Sequence, residues 1–164
     1  MRLMTIASGS SGNAGYLGSE STHLLIDAGI SRRRIVQGLE VAGLKPGELS
    51  GVLLTHEHAD HVTGLKILLK KDAIPLYATA GTLAAIKKKG MLDEFPTEQI
   101  HVIRGGEAFS LGDLTVLPLS IDHDAAEPVG YRITNGSKSA AFLTDLGHAT
   151  EDLEQALQGL DALL

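Results

Sequence analysis

Apolar and polar positions alternate with two different periods along this chain, and the change falls near Gln99. Before it, short apolar runs are separated by stretches with helical spacing. Arg2 to Ala7 predicts a strand. The small-residue loop Ser8-Gly9-Ser10-Ser11-Gly12-Asn13 follows, able to turn tightly or to bring backbone close to a ligand. Tyr16 to Gly18 and His23 to Asp27 predict two strands joined by a polar turn. Ser31 is placed to cap a helix through Ile35, Leu39 and Val41 that closes near Gly43. Gly51 to Leu54 is apolar throughout, the pattern of a strand inside its sheet. Val62, Leu65, Leu68 and Leu69 then recur at helical spacing, with Lys66, Lys70 and Lys71 on the other face. Pro75 to Ala78 predicts a strand, and Thr79 or Thr82 caps a helix through Leu83 and Ile86 ending at Gly90.

Beyond Gln99 the period becomes two. Strands are predicted at Ile100–Ile103, Ala108–Ser110, Leu114–Leu119, Val129–Thr134 and Ala140–Thr144. Between the last two, Asn135-Gly136 predicts a type I′ hairpin. An amphipathic helix over Thr150 to Leu157 precedes Leu160 to Leu164, which has the pattern of a further strand. Helical crossovers mixed with sequential hairpins indicate a layered α/β or α+β domain spanning residues 1–164.

Composition narrows the chemistry. The 164 residues suffice for one core, built mainly from Leu, Ile, Val and Ala because aromatic content is 4% and Trp is absent. Without cysteine there is no disulfide and no thiolate metal site. Neither a spanning apolar stretch nor a signal-peptide pattern is visible, which makes the cytoplasm the expected location and a membrane an unexpected partner. The net charge of −6 shows no overall nucleic-acid footprint, although Arg32-Arg33-Arg34 and Lys87-Lys88-Lys89 are local basic runs.

The densest chemistry follows the Gly51–Leu54 strand. His56-Glu57-His58-Ala59-Asp60-His61 packs three imidazoles and two carboxylates into six residues. On an extended segment His56 and His58 can point at one ion while Glu57 faces away; Asp60 and His61, at a helix start, can reach a second. Imidazole and carboxylate donors suit Zn, Mn or Fe and an open catalytic site. The zincin spacing H-E-x-x-H is not met, nor is a P-loop present. His123 and Asp145 also fall at predicted strand ends, where a sheet gathers ligands.

The order His56-x-His58-x-Asp60-His61, then His123, then Asp145 in Thr-Asp-Leu-Gly, resembles the metallo-β-lactamase superfamily, and Asp27 in Leu-Ile-Asp-Ala-Gly resembles its preceding strand motif. The Ser8–Asn13 loop and His123 to Tyr131 resemble more narrowly its YycJ-type branch, regarded as DNA- or RNA-processing and exonucleolytic. The resemblance implies an αββα sandwich, of which this chain is expected to hold the N-terminal half and the start of the second, as a truncated domain. It implies two divalent ions, Zn or Mn with Fe compatible. His56, His58 and His123 would hold one, Asp60 and His61 the other, and Asp145 would bridge. Asp27 would orient the histidines, and Asn13 or its loop would face phosphate.

The family pattern has one more His, late in the C-terminal half, which is not His148 by position and is not met up to Leu164. A C-terminal half in cis or in trans is therefore an expected partner, a homo-oligomer is compatible, and one sheet is expected to expose a broad apolar face. The function so implied is two-metal hydrolysis of a nucleic-acid phosphodiester, with Asp60 or Asp145 taking the water's proton and His148, the nearest candidate in sequence, protonating the leaving group. Two alternatives stand beside it. One is hydrolysis of a small ester, lactone or cyclic phosphodiester on the same scaffold. The other is a catalytically incomplete metal-binding fragment or interaction module. A flavodiiron-type redox site is disfavoured, because it would carry an acidic ligand at the position of His58.

Overall fold

In the computed structural model, which describes residues 1–164, two sheets pack face to face between helical layers. The first sheet runs β1 (Arg2–Ala7), β2 (Ala14–Gly18), β3 (His23–Ile26), β4 (Gly51–Leu53), β5 (Leu76–Thr79) and β6 (Ile100–Ile103) in simple sequence order. Its first three strands are antiparallel, and β3 to β6 are parallel. The parallel pairs need crossovers. These are α1 (Arg32–Val41), the short α2 (Ala59–Val62) with α3 (Leu65–Asp72), and α4 (Ala80–Lys88). Their apolar faces meet one side of the sheet in a cluster that includes Ile35, Leu39, Val52, Leu65, Leu68, Leu76 and Ile86.

The second sheet orders β11 (Ala162–Leu163), β10 (Ser139–Phe142), β9 (Val129–Thr134), β8 (Leu114–Ser120) and β7 (Phe109–Leu111). Period-two side chains from both sheets, among them Leu17, Leu24, Ile26, Leu53, Val116, Tyr131, Ile133 and Phe142, form the core between them. The last helix, α5 (Glu151–Ala156), lies outside the second sheet, where Leu153 packs on Leu119 and Ile121. The layers are therefore α, β, β, α, as the resemblance implied.

Ser31 and Thr79 cap α1 and α4 through their hydroxyls, as their positions suggested. Three expectations change. The hairpin between β9 and β10 turns one residue later than Asn135-Gly136: Asn135 pairs with Lys138, and Gly136 alone in this turn takes a positive φ, 88°. Glycine at the first central position is the II′ pattern, and the Asn135 side chain instead accepts from the Ser137 and Lys138 amides. Next, the helical stretch after the His cluster breaks at Gly64, whose N–H donates to the Ala28 carbonyl. Finally, the second sheet shows no broad bare apolar face. Its outward positions are mostly small or polar (Thr115, Gly130, Arg132, Thr134, Ser139, Ala141), and α5 covers Leu119. Of its large side chains only Leu163, on the edge strand, is strongly exposed. No helix is long and apolar enough to cross a membrane.

Candidate metal centre

Parallel strands bring their C-terminal ends to one rim, the usual place for a site in an α/β sheet. Here β3 delivers Asp27 and β4 delivers Thr55 and His56, while from the second sheet β8 leads to His123 and β10 to Asp145. Asp27 and Asp145 both adopt positive φ, 61° and 53°, a conformation an L-residue holds only where its surroundings enforce it.

The scaffold beneath the imidazoles is Asp27. Fully buried, its carboxylate accepts from the Thr55 backbone N–H and the Thr55 hydroxyl, both at 2.8 Å, and from His61 Nδ1 at 2.8 Å. Burial pushes the Asp27 pKa up, countered by His61 and Thr55. Thr55 gives its only proton to Asp27, so its oxygen accepts from His56 Nδ1 at 3.0 Å. That fixes the His56 tautomer: Nδ1 carries the hydrogen, and Nε2 presents its lone pair to the rim.

His56 is the hub. Its ring centroid lies 4.6 Å from His58, 4.1 Å from His61 and 4.7 Å from His123. Burial first, then the neighbouring imidazoles, lower its pKa to about 3, so the ring is neutral at ordinary pH. His58 Nδ1 and His123 Nε2 face each other at 3.2 Å, a separation that needs a proton or a cation between two lone pairs. On the other flank His61 Nε2 is 2.8 Å from Asp145 Oδ2 and 3.5 Å from Asp60 Oδ2. Burial works to lower the His61 pKa, but the hydrogen bond and charge of Asp27, with Asp60 and Asp145, raise it overall. An ion taking Nε2 there displaces a proton.

The residues present fit a metal. Ligand atoms of His56, His58 and His123 lie within 4.8 Å of one another, as do those of His56, His61 and Asp145. His56 Nε2 is buried with no hydrogen-bond partner, and two of the other three such side-chain atoms, Glu57 Oε2 and Thr144 Oγ1, belong to residues flanking the ligands. An orphaned buried nitrogen costs about 1–3 kcal/mol unless something binds it. A cation in the middle of five donors removes that cost.

Every metal-ligand candidate from the sequence therefore meets in one place, with one refinement: His56 belongs to both groups, and Asp60 stands slightly apart. Asn13 Nδ2 holds Asp60 Oδ2 at 3.1 Å and lies 3.1 Å from His61 Nε2. Its loop is locked by Asn13 Oδ1 accepting from the Gly9 N–H at 3.0 Å. Beside Asp60 and Asp145 a cavity of about 510 Å³ is lined by Ser8, Gly9, Ser10, Asn13 and Thr144.

His148 is not drawn into either group. It is exposed, and its backbone bridges to Asp122, the neighbour of His123. Roles for two acids were not legible in sequence. Glu57, turned away from the imidazoles as expected, accepts from the Ala126 N–H at 2.9 Å. Glu127 accepts from the Gly81 N–H at 2.7 Å, and its carbonyl accepts from the Thr79 hydroxyl at 2.8 Å. Together they pin the loop that carries His123. The acid pair Glu57 and Glu127 in sequence could not have revealed partners 46 to 69 residues away.

A family model described as a β-lactamase superfamily domain matches residues 22–164. The chain belongs to the metallo-β-lactamase superfamily. Among curated relatives it is 34% identical to the exodeoxyribonuclease YycJ of Bacillus anthracis, over all of this chain and 61% of that protein. It is 35% identical to the exodeoxyribonuclease WalJ of Streptococcus pneumoniae, over 97% of this chain and 59% of that protein. The chain thus spans about three fifths of these relatives. Zn²⁺-bound PqqB from Methylobacterium extorquens superposes with a TM-score of 0.75 at 27% identity, covering 92% of this chain and 58% of that one. The metallo-β-lactamase fold protein YhfI from Bacillus subtilis gives 0.77 at 18% identity, over 98% and 68%, a likeness of fold alone.

Proposed function

We propose that this chain carries the catalytic centre of a metal-dependent phosphodiesterase, an exonuclease acting on DNA or RNA in the cytoplasm. The observation that carries the metal dependence is the buried, unpartnered His56 Nε2 at the meeting point of the ligand groups. The nucleic-acid substrate is supported by the likeness to the two exodeoxyribonucleases.

Two divalent ions, Zn or Mn with Fe compatible, would be held by His56, His58 and His123 and by Asp60 and His61, with Asp145 shared. When bound, such ions acidify water and offset charge on a phosphoryl group. The chain's own side chains supply the rest. Thr55 and Asp27 fix the tautomers and orientations of His56 and His61. Asp60 and Asp145 are the partly solvent-accessible carboxylates of the centre, with side chains 30% and 39% exposed, and so are placed to take a proton from water. Asn13 orients Asp60, and the Ser8–Asn13 loop with Thr144 offers neutral hydrogen-bonding groups along the adjoining cavity. His148, at the exposed rim, is the proposed donor to the leaving oxygen.

The test is incubation with end-labelled linear DNA or RNA in Mn²⁺ or Zn²⁺, beside nitrocefin and a simple lactone. Progressive shortening, lost in Asp145→Asn, is expected. Turnover of the lactone or nitrocefin with intact nucleic acid would contradict the proposal.

A further inference from the structure

Between Lys66 and Lys89 the sequence holds six lysines and one acidic residue, in a chain whose net charge is −6. That acid, Asp72, is already engaged by Arg32 through two hydrogen bonds of 2.6 and 2.7 Å. The six lysines have different fates, and Lys71 is exposed with no acidic partner. Lys66 and Lys70 face Asp93 and Glu94. Lys87, Lys88 and Lys89, at the end of α4, are exposed and have no acidic side chain within salt-bridge distance. Favourable interaction with the helix C-terminus accounts for lysines there in general. It does not account for what Lys89 touches.

Lys89 Nζ donates to the Glu57 carbonyl at 2.8 Å. Glu57 lies between His56 and His58, so this ammonium is seated on the backbone of the ligand segment itself. A lysine ammonium has three donors, and one bond leaves two for another acceptor. Lys66 Nζ donates to the Gly90 carbonyl at 2.8 Å, which ties α3 to the same turn. Lys89 therefore sets one cation directly against the ligand segment, and Lys87 and Lys88 precede it in the same exposed turn.

We infer that Lys87, Lys88 and Lys89 form a phosphate-backbone contact that guides a single nucleic-acid strand across the Glu57 segment to the metal centre. The inference rests on the phosphodiesterase reading of that centre and adds the direction from which the strand approaches. A polyanion is the ligand whose chemistry matches: consecutive phosphates, contacted by ammonium groups without base recognition.

The test measures binding of a fluorescein-labelled phosphorothioate single-stranded DNA to the metal-loaded protein across a series of salt concentrations. The triple variant K87Q/K88Q/K89Q is expected to bind at least about tenfold more weakly at 0.1 M salt, and its salt slope is expected to fall by about 2. Lys89→Gln should weaken binding more than Lys45→Gln, which removes equal charge at the opposite end of the strands. A wild-type slope that the triple variant leaves unchanged, or equal losses in Lys89→Gln and Lys45→Gln, would overturn the inference while leaving the centre's assignment intact. Wild-type protein that shortens end-labelled nucleic acid in neither metal removes the reading beneath it.

Discussion

His56 presents a buried nitrogen with nothing to bond, whereas His61, a ring's width away, is engaged on every side. Behind His61 stands Asp27; in front are Asp145, Asp60 and Asn13. The imidazole flank of the centre (His56, His58, His123) thus gathers three ring systems around one unpartnered nitrogen. The acidic flank (Asp60, His61, Asp145) is largely satisfied by its own hydrogen bonds. The difference lies in what each flank gives up on binding an ion. The first resolves an orphaned donor; the second exchanges a shared proton for the metal. The two-ion proposal therefore predicts that the imidazole flank fills first.

Asp27 supports both flanks, through Thr55 and through His61, so its loss has the largest effect. Asp27→Ala leaves the Thr55 N–H and hydroxyl and the His61 ring unpaired in a fully buried site, and should cost about 3–5 kcal/mol in urea denaturation of the metal-free protein. Next in size, Thr55→Val removes the acceptor that sets the His56 tautomer and one donor to Asp27. A loss of about 1–3 kcal/mol is expected, with weaker zinc binding in calorimetric titration.

These two residues also show where the sequence was readable. The ligands stood out because metal chemistry concentrates in one short segment and at strand ends, and the strands themselves followed from short apolar runs before Gln99 and period-two runs after it. Thr55 gave no signal, because its role depends on Asp27 across the β3–β4 pair. Glu57 and Glu127 reach loops far along the chain. The Asn135-Gly136 turn was misplaced by one residue because the Asn135 side chain bonds the local backbone instead of occupying the turn centre.

Smaller effects separate the flanks. Glu57→Ala should loosen the His123 loop, costing about 1–2 kcal/mol and lowering affinity on the imidazole flank while sparing Asp60 and His61. Asn13→Ala should do the reverse, reducing affinity on the acidic flank by roughly tenfold with little change in stability.

The folded centre also carries a pH dependence. His56 has a folded pKa of about 3 against an ordinary 6.5, so the unfolded chain binds a proton there that the folded one refuses. Its contribution to stability is present above pH 6.5 and is lost as the pH falls towards 3. Denaturation of the metal-free protein between those limits should show a shallower slope in His56→Gln.

His56 is common to both ligand groups, which makes it the hub of any metal bound there. Metal content by mass spectrometry after zinc loading and desalting, on wild type and His56→Ala with matching circular dichroism, tests it directly. Bound zinc in the wild type that falls to near zero in His56→Ala is the predicted result, since both ligand groups contain this residue. Zinc retained by His56→Ala at the wild-type level would contradict it.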